Sequence, residues 1–150
     1  MNQPIIDVAL LPDLVSPESL AEQTVIVVDV LRATTTIVSA IYNGCIEVLP
    51  QPSVESARET HRQFSGNAVI GGERGGQIVE GFHHGNSPIE YTPTAIKDKT
   101  LILATTNGTV AMEHCRAANR VLIGAMVNLS AVAQQVKDDP QVTVVCSGTD

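Results

Sequence analysis

The chain has 150 residues, of which 43% are hydrophobic and 17% charged, a composition typical of one folded domain rather than of a disordered segment. Its net charge is −7, aromatic residues make up 3% and lysine or arginine clusters are absent, so we expect no nucleic-acid partner. No apolar run approaches about 20 residues, so we expect no transmembrane span and no membrane partner.

The three cysteines, Cys45, Cys115 and Cys146, lie far apart in aliphatic surroundings. An odd number of such cysteines is typical of unpaired core residues in a reducing compartment. The first residues also lack the basic and then apolar order of a signal peptide. We therefore expect a cytoplasmic protein.

Short apolar segments alternate with amphipathic ones along the chain. The first of these segments predicts a strand over 5–10, which we expect at a sheet edge. Ser16 and Pro17 predict the cap and the first residue of a short helical turn. An unbroken aliphatic run over 25–28 predicts a central strand buried on both faces. The apolar spacing that follows predicts a helix ended by Gly44.

The same alternation continues to the last residues. It predicts strands at 46–49, 68–70, 101–104, 121–123 and 142–146. It predicts helices at 54–64, from Pro88 onward, and at 128–136. It also predicts a helix that follows the turn over 105–109 and reaches about Cys115. Ser87 and Asn128 are the expected caps of two of these helices. The predicted fold is α/β, with a mostly parallel sheet and helices on both faces in three layers.

A glycine-rich segment interrupts this pattern, because six of the fifteen residues over 71–85 are glycine. Such a composition favours a loop with a function of its own over a simple connection. Glu73 and Arg74 stand between two pairs of glycines in this segment. The alternative is a surface ion pair in a flexible loop, worth at most about 1 kcal/mol.

Three predicted strands end in small polar residues: Asp29 with the threonines 34–36, then 105–109, then 147–150. Ligands of open parallel sheets bind beyond the carboxyl ends of the strands, where helix N-termini also present free N–H groups. We therefore predict a cradle for a metal-bound phosphate beside Asp29. The alternative is that Asp29 and the threonines only form a turn and cap the next helix.

The candidate residues of this cradle are rich in oxygen and positive charge. Asp29, Glu73 and Asp150 are hard carboxylate ligands of the kind that Mg²⁺ prefers. Arg32 and Arg74 can bind anionic oxygens, which matters because the net charge of −7 repels an anionic substrate. Phosphoryl transfer needs mainly positioning and charge neutralisation, and these residues can supply both.

Other phosphate chemistries are excluded by inspection. The chain has no Gly-x-x-x-x-Gly-Lys-[Ser/Thr] nucleotide loop, and its four histidines show no zinc-ligand spacing. Cys115 is followed directly by Arg116, which leaves no loop for a cysteine phosphatase. Leu31 stands where a haloacid-dehalogenase-type phosphatase has its second aspartate. His84 is a secondary candidate for protonating a leaving group.

Five short blocks resemble the 2-phosphosulfolactate phosphatase family. In chain order they are Asp29-Val-Leu-Arg-Ala-Thr-Thr-Thr36, Gly72-Glu-Arg-Gly75, Gly85-Asn-Ser-Pro88, Thr105-Thr-Asn-Gly-Thr109 and Cys146-Ser-Gly-Thr149. The resemblance implies an α/β enzyme that uses Mg²⁺ to hydrolyse 2-phospho-3-sulfolactate to sulfolactate and phosphate, a step of coenzyme M biosynthesis in methanogens. Bacterial relatives often occur without that pathway, which leaves a related small phosphorylated hydroxy acid open as substrate.

The resemblance also implies roles for residues. Asp29 and Glu73 are the metal candidates, and together with Arg32 they form the expected catalytic set. The residues expected to bind the substrate are Thr34, Thr35, Thr36, Arg74, Asn86, Ser87, Thr106, Asn107, Gly108 and Thr109. Whether water or Asp29 attacks phosphorus is left open.

Two further functions remain open. Family members continue beyond the last block, so we expect this chain to be the N-terminal part of a longer domain. Such a part is either active, or a domain that binds a phosphorylated metabolite without hydrolysing it, or an inactive fragment. A structural role is the other alternative, in which the uncovered last strand pairs in a homo-oligomer.

Overall fold

The computed structural model of the protein describes residues 5–64 and 66–148. The strands in these ranges are β1 (Ile5–Ala9), β2 (Thr24–Val28), β3 (Glu47–Gln51), β4 (Ala68–Arg74), β5 (Gln77–Ile78), β6 (Thr100–Ala104), β7 (Arg120–Gly124) and β8 (Gln141–Cys146). The α-helices are α1 (Ala33–Tyr42), α2 (Val54–Arg62), α3 (Pro93–Ile96), α4 (Gly108–His114) and α5 (Leu129–Val136). Within the described part of the chain, no helix has the length and apolar character needed to cross a membrane.

The strands form two four-stranded sheets. Sheet A has the order β1-β8-β2-β7 and is parallel throughout. Sheet B has the order β3-β6-β4-β5, and only the short β5 runs antiparallel to its neighbour. The predicted α/β fold with mostly parallel strands is confirmed, and the strands expected in one sheet are divided between two.

Helices α1 and α4 lie between the two sheets and contact both. The alternation of side chains along the central strands shows this arrangement, because Val25 and Val27 of β2 share a buried cluster with Leu101 and Leu103 of β6. Ile26 faces the other way, toward α5. On sheet B the corresponding outer face packs against α2. Helices therefore cover both faces of each sheet, with one helical layer shared.

Most predicted elements are present near their predicted bounds. The strand predicted at 25–28 is central in sheet A, β1 is an edge strand, and Gly44 follows α1 with a φ of +93°. Ser16 Oγ accepts a hydrogen bond from the N–H of Ser19, as expected of a cap. Cys45 and Cys115 are buried and Cys146 is partly buried, and all three are unpaired, as predicted.

Other elements differ from the prediction. The glycine-rich segment is not a loop throughout, because β4 extends to Arg74 and pairs with β5. Helix α3 was not predicted. Ser87 and Asn128 precede helical segments as expected, but neither side chain makes a cap hydrogen bond to its helix. Asn128 Oδ1 instead accepts a hydrogen bond from the N–H of Ala125.

The carboxyl ends of the central strands carry the polar tips. In sheet A, Val28 at the end of β2 pairs with Cys146 and Gly124 at the ends of its neighbours. In sheet B, Ala104 at the end of β6 pairs with Gly72. A Cβ on Gly72 would collide with the carbonyl group of Ala104, so only glycine allows this approach. The predicted site residues therefore follow the carboxyl ends of the central strands in the two sheets.

Candidate active site

The turn between β2 and α1 is fixed by hydrogen bonds to its own backbone. Thr34 Oγ1 donates to the carbonyl oxygen of Asp29 at 2.8 Å and accepts from the Asp29 N–H at 3.0 Å. Thr35 Oγ1 donates to the carbonyl oxygen of Val30 at 2.6 Å. Between these residues the Leu31–Arg32 peptide bond is cis. The threonine hydroxyls predicted to bind a phosphoryl group thus already have partners in the protein.

The same turn leaves other groups available to a ligand. Within the described ranges, the N–H groups of Ala33 and Thr35 have no hydrogen-bond partner. The side chains of Asp29 and Arg32, both partly buried, likewise have no hydrogen bond or ion pair there. Free N–H groups and the positive end of a helix dipole favour an anion at this point.

The start of α4 lies directly against Asp29. A Cβ on Gly108 would lie 2.6 Å from Asp29 Oδ2 and would collide with the Cβ of Ala33. Glycine is therefore required here by lack of space. Because Asp29 follows β2 of sheet A and Gly108 follows β6 of sheet B, this contact joins the tips of the two sheets.

The turn over 105–109 is braced from within. The Thr109 N–H donates to Thr105 Oγ1, and the Thr105 N–H donates to Thr109 Oγ1, both at 3.0 Å. These two threonines are buried, whereas Thr106 and Asn107 are partly exposed. The Asn107 side chain makes no cap hydrogen bond to α4. Thr109 thus stabilises the turn, and Thr106 and Asn107 are its more accessible members.

Glu73 joins this turn to the end of β4. Its side chain is buried, with 7% exposure. Oε1 accepts from the Thr106 N–H at 2.8 Å, and Oε2 accepts from the Gly76 N–H at 2.8 Å and the Thr106 hydroxyl at 3.1 Å. Burial alone raises the pKa of Glu73, but these hydrogen bonds and the charge of Arg74 outweigh it, so the pKa lies below its ordinary value.

The chain beyond Glu73 reverses in a tight hairpin. Gly75 and Gly76 have φ values of +56° and +78°, as a two-residue type I′ turn requires, and they connect β4 to β5. Arg74 Nη1 donates to the carbonyl oxygen of Glu73 at 2.8 Å. The hairpin therefore places Arg74 next to the residue that anchors it to the 105–109 turn.

Asn86 lies in a loop held to α1 and to the chain around Tyr91. The Thr36 hydroxyl donates to the carbonyl oxygen of Asn86 at 3.1 Å, and the Tyr91 hydroxyl donates to that of Gly85 at 2.6 Å. Tyr91 is fully buried, and burial, followed by the nearby Glu90 and Cys45, raises its pKa. The Asn86 side chain is 5% exposed, and its Oδ1 has no partner among the described residues. A buried acceptor without a partner is unusual and indicates a missing donor or cation.

The last polar tip is attached to the first. The Ser147 N–H donates to the carbonyl oxygen of Val28 at 2.9 Å, one residue before Asp29. Asp150, the third carboxylate of the predicted metal set, lies outside the described residues, as does Thr149 of the last block.

Two cavities outside the site are lined by neither Asp29 nor Glu73. A cavity of about 520 Å³ is lined in part by His83, His84 and Lys99. His83 Nδ1 accepts a hydrogen bond from the N–H of Ile70, and the His84 ring packs against Tyr91 with centroids 5.4 Å apart. An apolar cavity of about 260 Å³ lies between α5 and the outer face of sheet A. Within the described residues, no hydrogen bond, ion pair or ring contact links His84 to Asp29 or Glu73.

A comparison with protein-family models shows which family has this sequence and site. The model of the 2-phosphosulpholactate phosphatase family matches residues 9–150. The chain belongs to this family. The resemblance inferred from the five blocks is therefore confirmed.

Curated relatives agree with the family match. The chain is 41% identical over 145 residues to a probable 2-phosphosulfolactate phosphatase of Clostridium novyi (strain NT), covering 96% of this chain and 62% of the relative. It is also 41% identical over 138 residues to a protein of the same name from Caldanaerobacter subterraneus subsp. tengcongensis, covering 91% and 57%. The chain thus spans about three fifths of the length of these members of the 2-phosphosulpholactate phosphatase family.

The two candidate carboxylates of this family member differ in how well they suit Mg²⁺. The described ranges contain no group of three or more His, Cys, Asp or Glu side chains placed to hold a metal. Mg²⁺ does not need such a group, because it keeps several waters and binds one or two carboxylates together with substrate phosphate. The carboxylate of Asp29, which has no hydrogen-bond or ion-pair partner in the part of the chain that the structure describes, fits this requirement. Glu73 fits it less well, since three donors already occupy its two oxygens.

The structure brings most of the predicted site residues of this family member into one connected group. Contacts join Asp29 to Gly108, Glu73 to Thr106, and Thr36 to Asn86. No hydrogen bond ties the side chains of Ser87, Asn107 or Arg32 to the group in the described residues, and their roles remain predictions. Sequence reasoning missed the support Tyr91, because this residue stands in no pattern that reports a distant contact.

Proposed function

We propose that the chain is a Mg²⁺-dependent phosphatase that hydrolyses 2-phospho-3-sulfolactate, or a related small phosphorylated hydroxy acid, to the hydroxy acid and phosphate. The observation that carries the proposal is the Asp29 carboxylate, which lies against Gly108 and has no partner among the described residues. It lies beside N–H groups at the start of α1 that are likewise free within the described ranges. Membership of the family supplies the substrate class, which the printed names of the relatives state for those proteins.

The residues divide the work by charge. Asp29 would hold the cation, which when bound neutralises phosphate charge and polarises the phosphorus–oxygen bond. The N–H groups of Ala33 and Thr35 and the guanidinium of Arg32 would bind phosphoryl oxygens. Arg74 would bind the second anionic group of the substrate, a sulfonate or a carboxylate. These local donors offset the repulsion expected from a net charge of −7.

The bond changes are those of phosphate monoester hydrolysis. An oxygen, from water or from Asp29, forms the new bond to phosphorus while the ester oxygen leaves and takes up a proton. If Asp29 attacks, a second step with water restores its carboxylate. Either route needs the ester near Asp29 and a proton for the departing hydroxy acid, which solvent can supply at this partly exposed edge.

One feature of the site favours a substrate hydroxyl or a bound water beside the phosphate. Asn86 Oδ1, which has no partner within residues 5–64 and 66–148, requires a hydrogen-bond donor or a cation. Asn86 would therefore accept a hydrogen bond from the substrate or from a metal-bound water. The three unpaired cysteines are consistent with activity in the cytoplasm.

Phosphate release from a panel of substrates tests the proposal. The panel contains phosphosulfolactate, phospholactate and phosphoglycerate, each with Mg²⁺ and with EDTA. We expect release that EDTA abolishes, and loss of release in Asp29→Asn but not in Asp138→Asn, a matched change at an exposed site beyond α5. Undiminished turnover in EDTA contradicts the metal requirement, and no release from any substrate contradicts the phosphatase assignment.

A second function follows from the share of the relatives that the chain covers. Because the chain spans 62% of the Clostridium novyi protein, its residues can form a phosphometabolite-binding domain without completing catalysis. Calorimetric titration with phosphosulfolactate separates the two functions. Binding without phosphate release, together with release by a chain extended to the length of the relatives, would favour this alternative.

A further inference from the structure

The Glu73 carboxylate is almost completely used by the protein itself. A carboxylate offers about four lone-pair sites, and the N–H groups of Gly76 and Thr106 and the Thr106 hydroxyl occupy three of them. All three donors lie on two turns, the hairpin after β4 and the turn after β6. The remaining site is on Oε1 of a side chain that is only 7% exposed.

We infer that Glu73 is a positioning residue that clamps the Gly75–Gly76 hairpin to the 105–109 turn and is not a metal ligand. Oε2 has no lone pair left for a cation, because it already accepts two hydrogen bonds. A cation on Oε1 would have to enter a buried position and compete with the Thr106 N–H. The geometry thus separates two carboxylates that the sequence groups together as metal candidates.

The clamp acts on the site from two sides. Thr106 stands two residues before Gly108, where an added Cβ would lie 2.6 Å from Asp29 Oδ2. Arg74 follows Glu73 directly, and its guanidinium donates to the Glu73 carbonyl oxygen, so the same hairpin sets its position. A further hydrogen bond, from the Gly75 N–H to Thr106 Oγ1 at 3.4 Å, also joins the hairpin to the turn. Loosening the clamp therefore moves both the contact partner of Asp29 and the second arginine.

The role in catalysis rests on the proposed phosphatase function, whereas the clamp itself does not. Glu73→Gln is the informative change, because glutamine keeps the size and one acceptor oxygen but turns an amide N–H₂ toward a donor. We expect kcat for phosphate release to fall about 10- to 100-fold, as misplaced reacting groups generally cause. The Mg²⁺ concentration for half-maximal rate should change less than about 2-fold, whereas Asp29→Asn should raise it more than about 10-fold where activity remains measurable.

Amide hydrogen exchange measured by NMR gives a readout independent of activity. In Glu73→Gln the amides of Gly76 and Thr106 should exchange at least about 10-fold faster, while amides in β2 keep their protection. Thr106→Val is the companion variant, since it removes only the hydroxyl, and it should loosen Gly75 and Gly76 to a smaller degree. If Glu73→Gln does not fold, the exchange rates of Gly75 and Gly76 in Thr106→Val decide whether the clamp exists.

Each outcome has a consequence. A shift in Mg²⁺ half-saturation in Glu73→Gln as large as that in Asp29→Asn makes Glu73 a metal ligand and overturns the inference. Unchanged exchange at Gly76 and Thr106, or faster exchange with unchanged kcat, also overturns it. If the wild-type chain releases no phosphate from any substrate, the proposed function fails, and with it the role of Glu73 in catalysis; the exchange data then still establish or refute the clamp.

Discussion

The two sheets end in acidic residues that are used in opposite ways. At the tip of sheet A, the backbone of Asp29 is tied down by Thr34, while its carboxylate has no partner in the described residues. At the tip of sheet B, the carboxylate of Glu73 accepts three hydrogen bonds and so joins the two turns from which they come. Asp29 is fixed through its backbone, so its carboxylate oxygens stay available to a ligand. The carboxylate oxygens of Glu73 are instead used to hold two turns together.

This difference shows that an acid at a strand end does not by itself indicate a ligand. The informative quantity is the number of protein donors on the carboxylate oxygens, because a saturated carboxylate has little left for a cation or a substrate. Four substitutions test this difference between the two acids.

Replacing Asp29 by asparagine should have the largest effect on activity and almost none on stability. Loss of a charge that acts on the reacting phosphate should lower kcat by about 10²- to 10³-fold or more. The free energy of unfolding should change by less than about 0.5 kcal/mol, because no hydrogen bond to the carboxylate is lost. Phosphate release and urea unfolding measure the two quantities. A large loss of stability would show that the carboxylate is structurally engaged, contrary to the contrast.

Gly108→Ala should damage the contact between the two tips. The added Cβ meets Asp29 Oδ2 and Ala33, so we expect a loss of about 1–3 kcal/mol of stability and up to about 100-fold in kcat. Gly66→Ala is the control, because nothing lies within 4 Å of its Cβ while its φ of +88° still strains alanine. The control should lose stability and keep its activity per folded molecule. Equal activity losses in both would refute the specific contact.

The tied carboxylate should make stability depend on pH in acid. Since the pKa of Glu73 in the folded protein lies below its ordinary value of 4.5, its contribution is complete above that value. It should be lost as pH falls below about 4.5 toward the lowered folded pKa. Urea unfolding between pH 6 and 3 should therefore show a shallower slope in Glu73→Gln than in the wild type. Identical slopes would mean that the carboxylate is not stabilised by its donors.

A smaller pH effect is expected from His83, which lies outside both tips. Burial, followed by the nearby His61, His84 and Lys99, lowers its pKa below 6.5, and its Nδ1 accepts the N–H of Ile70 only when unprotonated. Stability should therefore be complete above pH 6.5 and decline slightly as pH falls below it. Thermal unfolding of His83→Asn at pH 7.5 and 5.5 should show less change with pH than the wild type. An equal change in both would assign the effect to another group.

The sequence predicted the parallel α/β character because buried strands and amphipathic helices leave distinct apolar patterns. It could not predict that β2 and β6 lie in different sheets, since both have the same aliphatic run and strand order is a tertiary property. The two residues of β5 are too few to show any period.

The site was predictable as a set of polar tips, but the use of each side chain was not. The three threonines 34–36 suggested ligands, yet each hydroxyl bonds to a carbonyl group of the chain. The carbonyl partner of Thr36 belongs to Asn86, fifty positions further along the chain. Short polar motifs thus identify which residues come near a site. Only the fold decides which of their side chains remain free to bind a ligand.

The position of Tyr91 gives the protein a natural optical reporter. The chain has no tryptophan and only two tyrosines, of which Tyr42 is 89% exposed and Tyr91 is completely enclosed behind the Asn86 loop. Because burial raises the pKa of Tyr91, its tyrosinate absorbance should emerge in an alkaline titration only as the enclosure opens. Ultraviolet absorbance can thus follow the integrity of this loop without any label.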